Sequence, residues 1–129
     1  LNVARYDLDG LREALLAGDV PRLIRTLDGL QQEGEAPLLI LWAISEEARA
    51  LAQISSGLAR KQPLAQLFKE ARVWGNRQAL IRRALSRLDD RRANAALIDA
   101  ARIDRMIKGL ADGDVWNEFR RLGLLLAAG

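Results

Sequence analysis

The chain has 129 residues, half of them hydrophobic and 29% charged, with 20 Lys and Arg against 17 Asp and Glu for a net charge of +3. That size and mixture describe one folded, soluble domain with a real core rather than a disordered tail. Neither Cys nor His occurs, which excludes disulfides, thiolate nucleophiles, the usual zinc ligands and imidazole acid–base catalysis together. The absence of Cys fits a cytosolic protein. The charge is only mildly basic, whereas a dedicated DNA-binding face concentrates more. Leu1-Asn2-Val3-Ala4-Arg5 shows neither a signal peptide nor an initiator Met, so a piece of a longer protein is expected. Ala, Leu, Arg and Glu dominate while β-branched and aromatic residues are sparse, which favours helix nearly throughout.

A first short helix is expected from about Leu8 to Ala17, capped by Asp7, with Leu8, Leu11 and Leu15 inward and Gly18 ending it. Asp19 caps a second, with Pro21 in its first turn. Val20, Leu23, Ile24, Leu27 and Leu30 then repeat at helical spacing. Gly34 closes that helix, and the brief Gly34-Glu35-Ala36 turn predicts that it and its successor are antiparallel neighbours. The successor, Pro37 to Arg60, opens with seven consecutive apolar residues, Leu38 to Ile44. An all-round apolar half calls for cover on every side, so this is expected to be the central helix, with Trp42 in the core. It is too short and too soon charged to span a membrane.

Pro63 starts a short segment with Leu64, Leu67 and Phe68 on one side. Arg72-Val73-Trp74-Gly75-Asn76-Arg77 interrupts it. Leu80, Ile81, Ala84, Leu85 and Leu88 form one face of a fifth helix, with Arg82, Arg83, Ser86 and Arg87 largely facing away. Asp89 or Asp90 caps a sixth, whose buried stripe is Ala96, Leu97, Ala100, Ile103, Ile107 and Leu110. On its outer side Asp99 pairs with Arg102 and Asp104 with Lys108. Asp112-Gly113-Asp114 makes the last turn. Val115, Trp116, Phe119, Leu122 and Leu126 give a terminal apolar helix. The fold class is therefore all-α: a compact bundle of about six or seven helices around the central one.

Reactive groups that converge are scarce. Glu46-Glu47 and Asp89-Asp90 are adjacent carboxylates, but helix neighbours point about 100° apart. They read as a solvated face and a cap. Asp112-Gly113-Asp114 lacks the ligand alternation and terminal Glu of a calcium loop. No glycine-rich phosphate loop and no serine elbow occurs. Catalytic residues, metal ligands and cofactor-binding residues are thus all expected to be absent. Arg82, Arg83, Arg87, Arg91 and Arg92 form the densest basic run. Its functional reading is contact with a DNA backbone; its structural reading is an exposed helix surface, and no aromatics are interleaved to stack on bases. Trp74, in the break, and Trp116, in the first turn of the last helix, suit either packing or an interface anchor.

Several landmarks recur in one order. They are Tyr6-Asp7-Leu8, Leu15-Leu16-Ala17-Gly18-Asp19, Gly34-Glu35-Ala36-Pro37, Leu41-Trp42-Ala43-Ile44, Arg72-Val73-Trp74-Gly75-Asn76-Arg77, Ala101 to Gly109, and Asp114-Val115-Trp116. In that order and spacing the chain resembles, over essentially its whole length, the C-terminal domain of the delta subunit of bacterial DNA polymerase III. The form it resembles is the proteobacterial one. The resemblance implies DNA replication in the bacterial cytoplasm, within a non-catalytic subunit of the DNA-directed DNA polymerase holoenzyme. It implies a collar domain that joins the gamma/tau and delta-prime subunits of the clamp loader. It also implies that N-terminal AAA+-like and second domains, the former contacting the sliding clamp, lie outside this sequence. Trp74, Asn76, Arg77, Trp116 and Phe119 are the candidate subunit-interface residues. The alternative is a helical nucleic-acid-binding module using Arg82 to Arg92.

Overall fold

In the computed structural model, which describes residues 3–128, helical periodicity resolves into seven helices and no strands among the described residues. They are α1 (Val3–Ala17), α2 (Val20–Gln32), α3 (Pro37–Ala59), α4 (Leu64–Glu70), α5 (Asn76–Leu85), α6 (Asp90–Ile107) and α7 (Val115–Ala127). Three begin at an aspartate whose Oδ1 accepts a backbone N–H. Asp19 caps α2 from Arg22 at 3.2 Å, Asp89 caps α6 from Arg92 at 2.9 Å, and Asp114 caps α7 from Trp116 and Asn117 at 3.0 and 3.2 Å. Each such cap is worth about 1 kcal/mol. Asp89, not Asp90, is therefore the cap of α6. Asp7 caps nothing: α1 starts at Val3, because the residues ahead of Asp7 include good helix formers.

α3 is the organising element. It packs most extensively on α6 and also meets α1, α4, α5 and α7. Ile40, Ile44, Ala48, Leu51 and Ile54 are wholly or almost wholly buried along it. The short link to α2 does not make those two helices close neighbours. α2 lies instead against α1 and α7, where Leu23, Leu27 and Leu30 are fully buried. No helix of the described residues is long and apolar enough to cross a membrane.

Ion pairs fasten the helices from outside. Arg120 on α7 donates to Asp28 on α2 at 2.7 Å. Arg102 on α6 joins Asp99 at 2.8 Å and Glu118 on α7. The Asp104–Lys108 pair also forms, at 2.7 Å. Leu110 departs from expectation. It is 73% exposed because α6 stops one turn earlier, at a turn in which Leu110 N–H donates to Arg105 O at 2.8 Å.

Candidate subunit interface

The central helix is covered on one side only at its start. Ile40, Leu41, Ala43 and Ile44 are buried, whereas Leu38, Leu39 and Trp42 are exposed, Trp42 by 64%. Trp42 is thus a surface residue, not a core one. The reason lies in the helix period. Leu38 and Trp42 stand on the line that continues through Glu46, Arg49 and Gln53, all of them exposed. The outward stripe of α3 is apolar for its first turns and polar afterwards. Glu47, one step round, is by contrast completely buried. It faces the arginines of neighbouring helices: its Oε2 accepts from Arg12 Nη1 on α1 at 3.3 Å and from Arg77 Nη1 on α5. The adjacent carboxylates Glu46 and Glu47 therefore do not share a solvated face; only Glu46 does.

Beside Trp42 runs a groove of about 290 Å³ between α3 and α6, lined by Leu38, Trp42, Leu97 and Ala101 among others. A second groove, of about 570 Å³, lies across α6 and reaches α7; Ile98, Ala101, Arg102 and Leu125 line it. Ala101 borders both. The outer side of α6, with Ile98 74% exposed, is therefore a ridge between two shallow grooves. That is the relief into which another helix packs.

The break between α4 and α5 forms a second corner. Val73 is fully buried and pins the turn, while Trp74 is 60% exposed and Asn76 is exposed. Gly75 has φ +58° and ψ −138°, a conformation that suits only glycine. Arg77 is held inward by Glu47. The two candidates on α7 stand differently. Trp116 is half-buried, its ring edge-on to Phe119 with centroids 5.4 Å apart. Phe119 has no exposed surface, so it supports Trp116 from within the core and offers nothing to a partner.

The basic run has internal duties. Arg87 Nη2 donates to the carbonyls of Leu15, Leu16 and Leu126 at 2.8, 3.0 and 3.3 Å. Arg83 Nη2 donates to Ala17 O at 3.1 Å, and Arg92 Nε to Leu125 O at 2.9 Å. These carbonyls lie in the last turns of α1 and α7, where cations are favoured by the helix dipole; Leu15 O also accepts the Gly18 N–H at 3.3 Å. Arg82 lies over the Phe68 ring, 5.3 Å from its centroid. Arg91 is exposed. Burial lowers the Arg87 pKa, with the nearby Arg83 charge adding to the effect. Arg83 and Arg87 thus reach across to other helices instead of facing away from the bundle.

Among the described residues no three Asp or Glu side chains converge in a way that could hold a metal ion. What the fold and its surface define is an all-helical packing module with apolar and aromatic groups on two external faces. The profile of the processivity clamp loader gamma complex DNA polymerase III C-terminal family matches residues 10–129, and the chain belongs to that family. DNA polymerase III subunit delta of Escherichia coli is 32% identical over 114 residues, covering 88% of this chain and 33% of the relative. The subunit of the same name from Haemophilus influenzae is 30% identical over 112 residues, covering 81% and 33%. The chain thus spans about a third of the length of these curated relatives. Trp42, Leu38, Leu39 and Ile98 are the surface residues that sequence reasoning missed. Extending the polar stripe of Glu46, Arg49 and Gln53 backwards by two turns would have found the first three.

Proposed function

We propose that this chain is a non-catalytic collar domain of a clamp-loader delta subunit. In this reading it is a single helical domain that follows AAA+-like and second domains in a longer cytoplasmic protein. It binds the gamma/tau and delta-prime subunits through its outer helical faces and leaves contact with the sliding clamp to the N-terminal domain. Membership of the family supports the setting in DNA replication. One observation carries the assembly role: Leu38, Leu39 and Trp42 are exposed beside the grooved surface of α6. Contiguous apolar surface with an aromatic anchor is the composition of a protein interface core. Trp74 with Asn76 and Arg77, and Trp116 at the rim of α7, are secondary contact candidates.

Direct DNA binding through Arg82, Arg83, Arg87, Arg91 and Arg92 is the weaker reading, because Arg83, Arg87 and Arg92 already serve backbone carbonyls. Mixing the full chain with purified gamma/tau and delta-prime subunits and sedimenting the mixture separates the two. A stoichiometric complex that persists at salt sufficient to abolish DNA binding is the expected result. Salt-sensitive DNA binding without any complex would overturn the assembly role.

A further inference from the structure

Beside the Trp74 corner lies a cleft of about 660 Å³ whose wall includes Arg12, Arg49, Arg72 and Arg77, together with Asp9 and Glu46. The four arginines come from α1, α3, the α4–α5 turn and α5. Two of them are already committed: Arg12 and Arg77 meet on the buried Glu47, and Arg12 also pairs with Glu46 at 2.6 Å. Arg49 and Arg72 are exposed, and neither has a carboxylate partner among the described residues. Four guanidiniums facing Asp9, Glu46 and Glu47 leave a surplus of one positive charge. Arg49 also lines the groove next to Trp42, so cleft and apolar face are continuous.

We propose that this cleft receives one carboxylate, from an acidic side chain flanked by apolar residues on a partner clamp-loader subunit, between Arg49 and Arg72. The inference rests on the assembly reading and assigns the polar part of that interface. A guanidinium presents donors in a fork that matches a carboxylate. Trp74 stands within two residues of Arg72 and supplies the aromatic neighbour typical of an interface hot spot. A single carboxylate neutralises the surplus, whereas a run of phosphates would bring excess negative charge against Asp9 and Glu46. The occupant is therefore protein and not nucleic acid.

The test measures the affinity of the full chain for gamma/tau and delta-prime subunits at low and high salt. The variants compared with the unaltered chain are the Arg49→Ala/Arg72→Ala double, the corresponding double Lys, and Trp42→Ala. Both arginines are exposed, so the melting temperature should not move. The double Ala variant should weaken assembly on the order of tenfold at low salt, with the difference shrinking at high salt. The double Lys variant should recover part of the loss, and DNA affinity should be unchanged. If the double Ala variant assembles normally while Trp42→Ala does not, the cleft assignment is overturned and the assembly role stands. If the unaltered chain does not assemble, both fall. Loss of DNA affinity in place of assembly would overturn the carboxylate in favour of phosphate.

Discussion

Glu47 is the residue whose removal should cost most for its size. Its carboxylate is fully buried and is shared by two arginines from different helices. Glu47→Gln keeps the shape but takes the carboxylate from Arg77 and leaves Arg12 only the exposed Glu46. Loss of roughly 3 kcal/mol is expected from breaking such a pair at one partner, measurable by urea unfolding. Arg87 is the converse case, a cation that satisfies three carbonyls at two helix ends. Arg87→Ala should destabilise by roughly 1–3 kcal/mol, because the three carbonyls lose the guanidinium donor and Leu15 O keeps only the Gly18 N–H. DNA affinity, measured beside it, should not change. Neither role could be read from local pattern. Glu47 sits next to a solvated glutamate, and Arg87 lies in a run that reads as surface. What decides each is a partner tens of residues away in the chain, and helical periodicity carries no information about that.

Element-scale features were more legible. The Asp19 cap of α2, Pro21 in its first turn and the glycine stops at Gly18 and Gly34 act on the backbone within one turn, so local sequence determines them. The outward stripe of α3 was legible too, but a continuous apolar run obscured it: hydrophobicity alone does not separate a buried face from one reserved for a partner. Packing between elements depends on close approaches that sequence does not announce. Gly57 on α3 is one of these. A Cβ there would lie 2.3 Å from Leu67 Cδ2 on α4, and Leu67 is buried. Gly57→Ala should therefore force the buried Leu67 side chain out of its place and lower stability by roughly 1–3 kcal/mol, seen as a lower melting temperature. The α6–α7 link makes a pH prediction. Hydrogen bonds from Arg102, and secondarily Arg121, hold the Glu118 carboxyl below its usual value of 4.5. The unfolded chain therefore takes up this proton before the folded one does. The contribution is complete above about pH 4.5 and disappears as pH falls through the folded value. Glu118→Gln should flatten this part of the acid limb of a stability-versus-pH curve.

At the scale of the whole molecule, the landmark series spanning Tyr6 to Trp116 already pointed to the family that residues 10–129 match. Helix order and the centrality of α3 were also legible, because α3 alone is apolar beyond one face. The pairing of α3 with α6 instead of α2 was not, since a short link constrains the chain path but not which faces are complementary. The bundle is closed inside by its core and by arginines on its own helix ends. What remains outward is an apolar stripe, a grooved helix and an arginine cleft, a surface suited to joining other subunits. The most direct test of that conclusion is the affinity of full-length Trp42→Ala for gamma/tau and delta-prime subunits, measured beside its stability. Most of the Trp42 ring is already in water, so stability should fall by less than about 1 kcal/mol. Assembly should weaken by about 2 kcal/mol or more, roughly thirtyfold, as for an aromatic hot spot. Unchanged affinity in a folded variant would contradict the assignment of this face to subunit assembly.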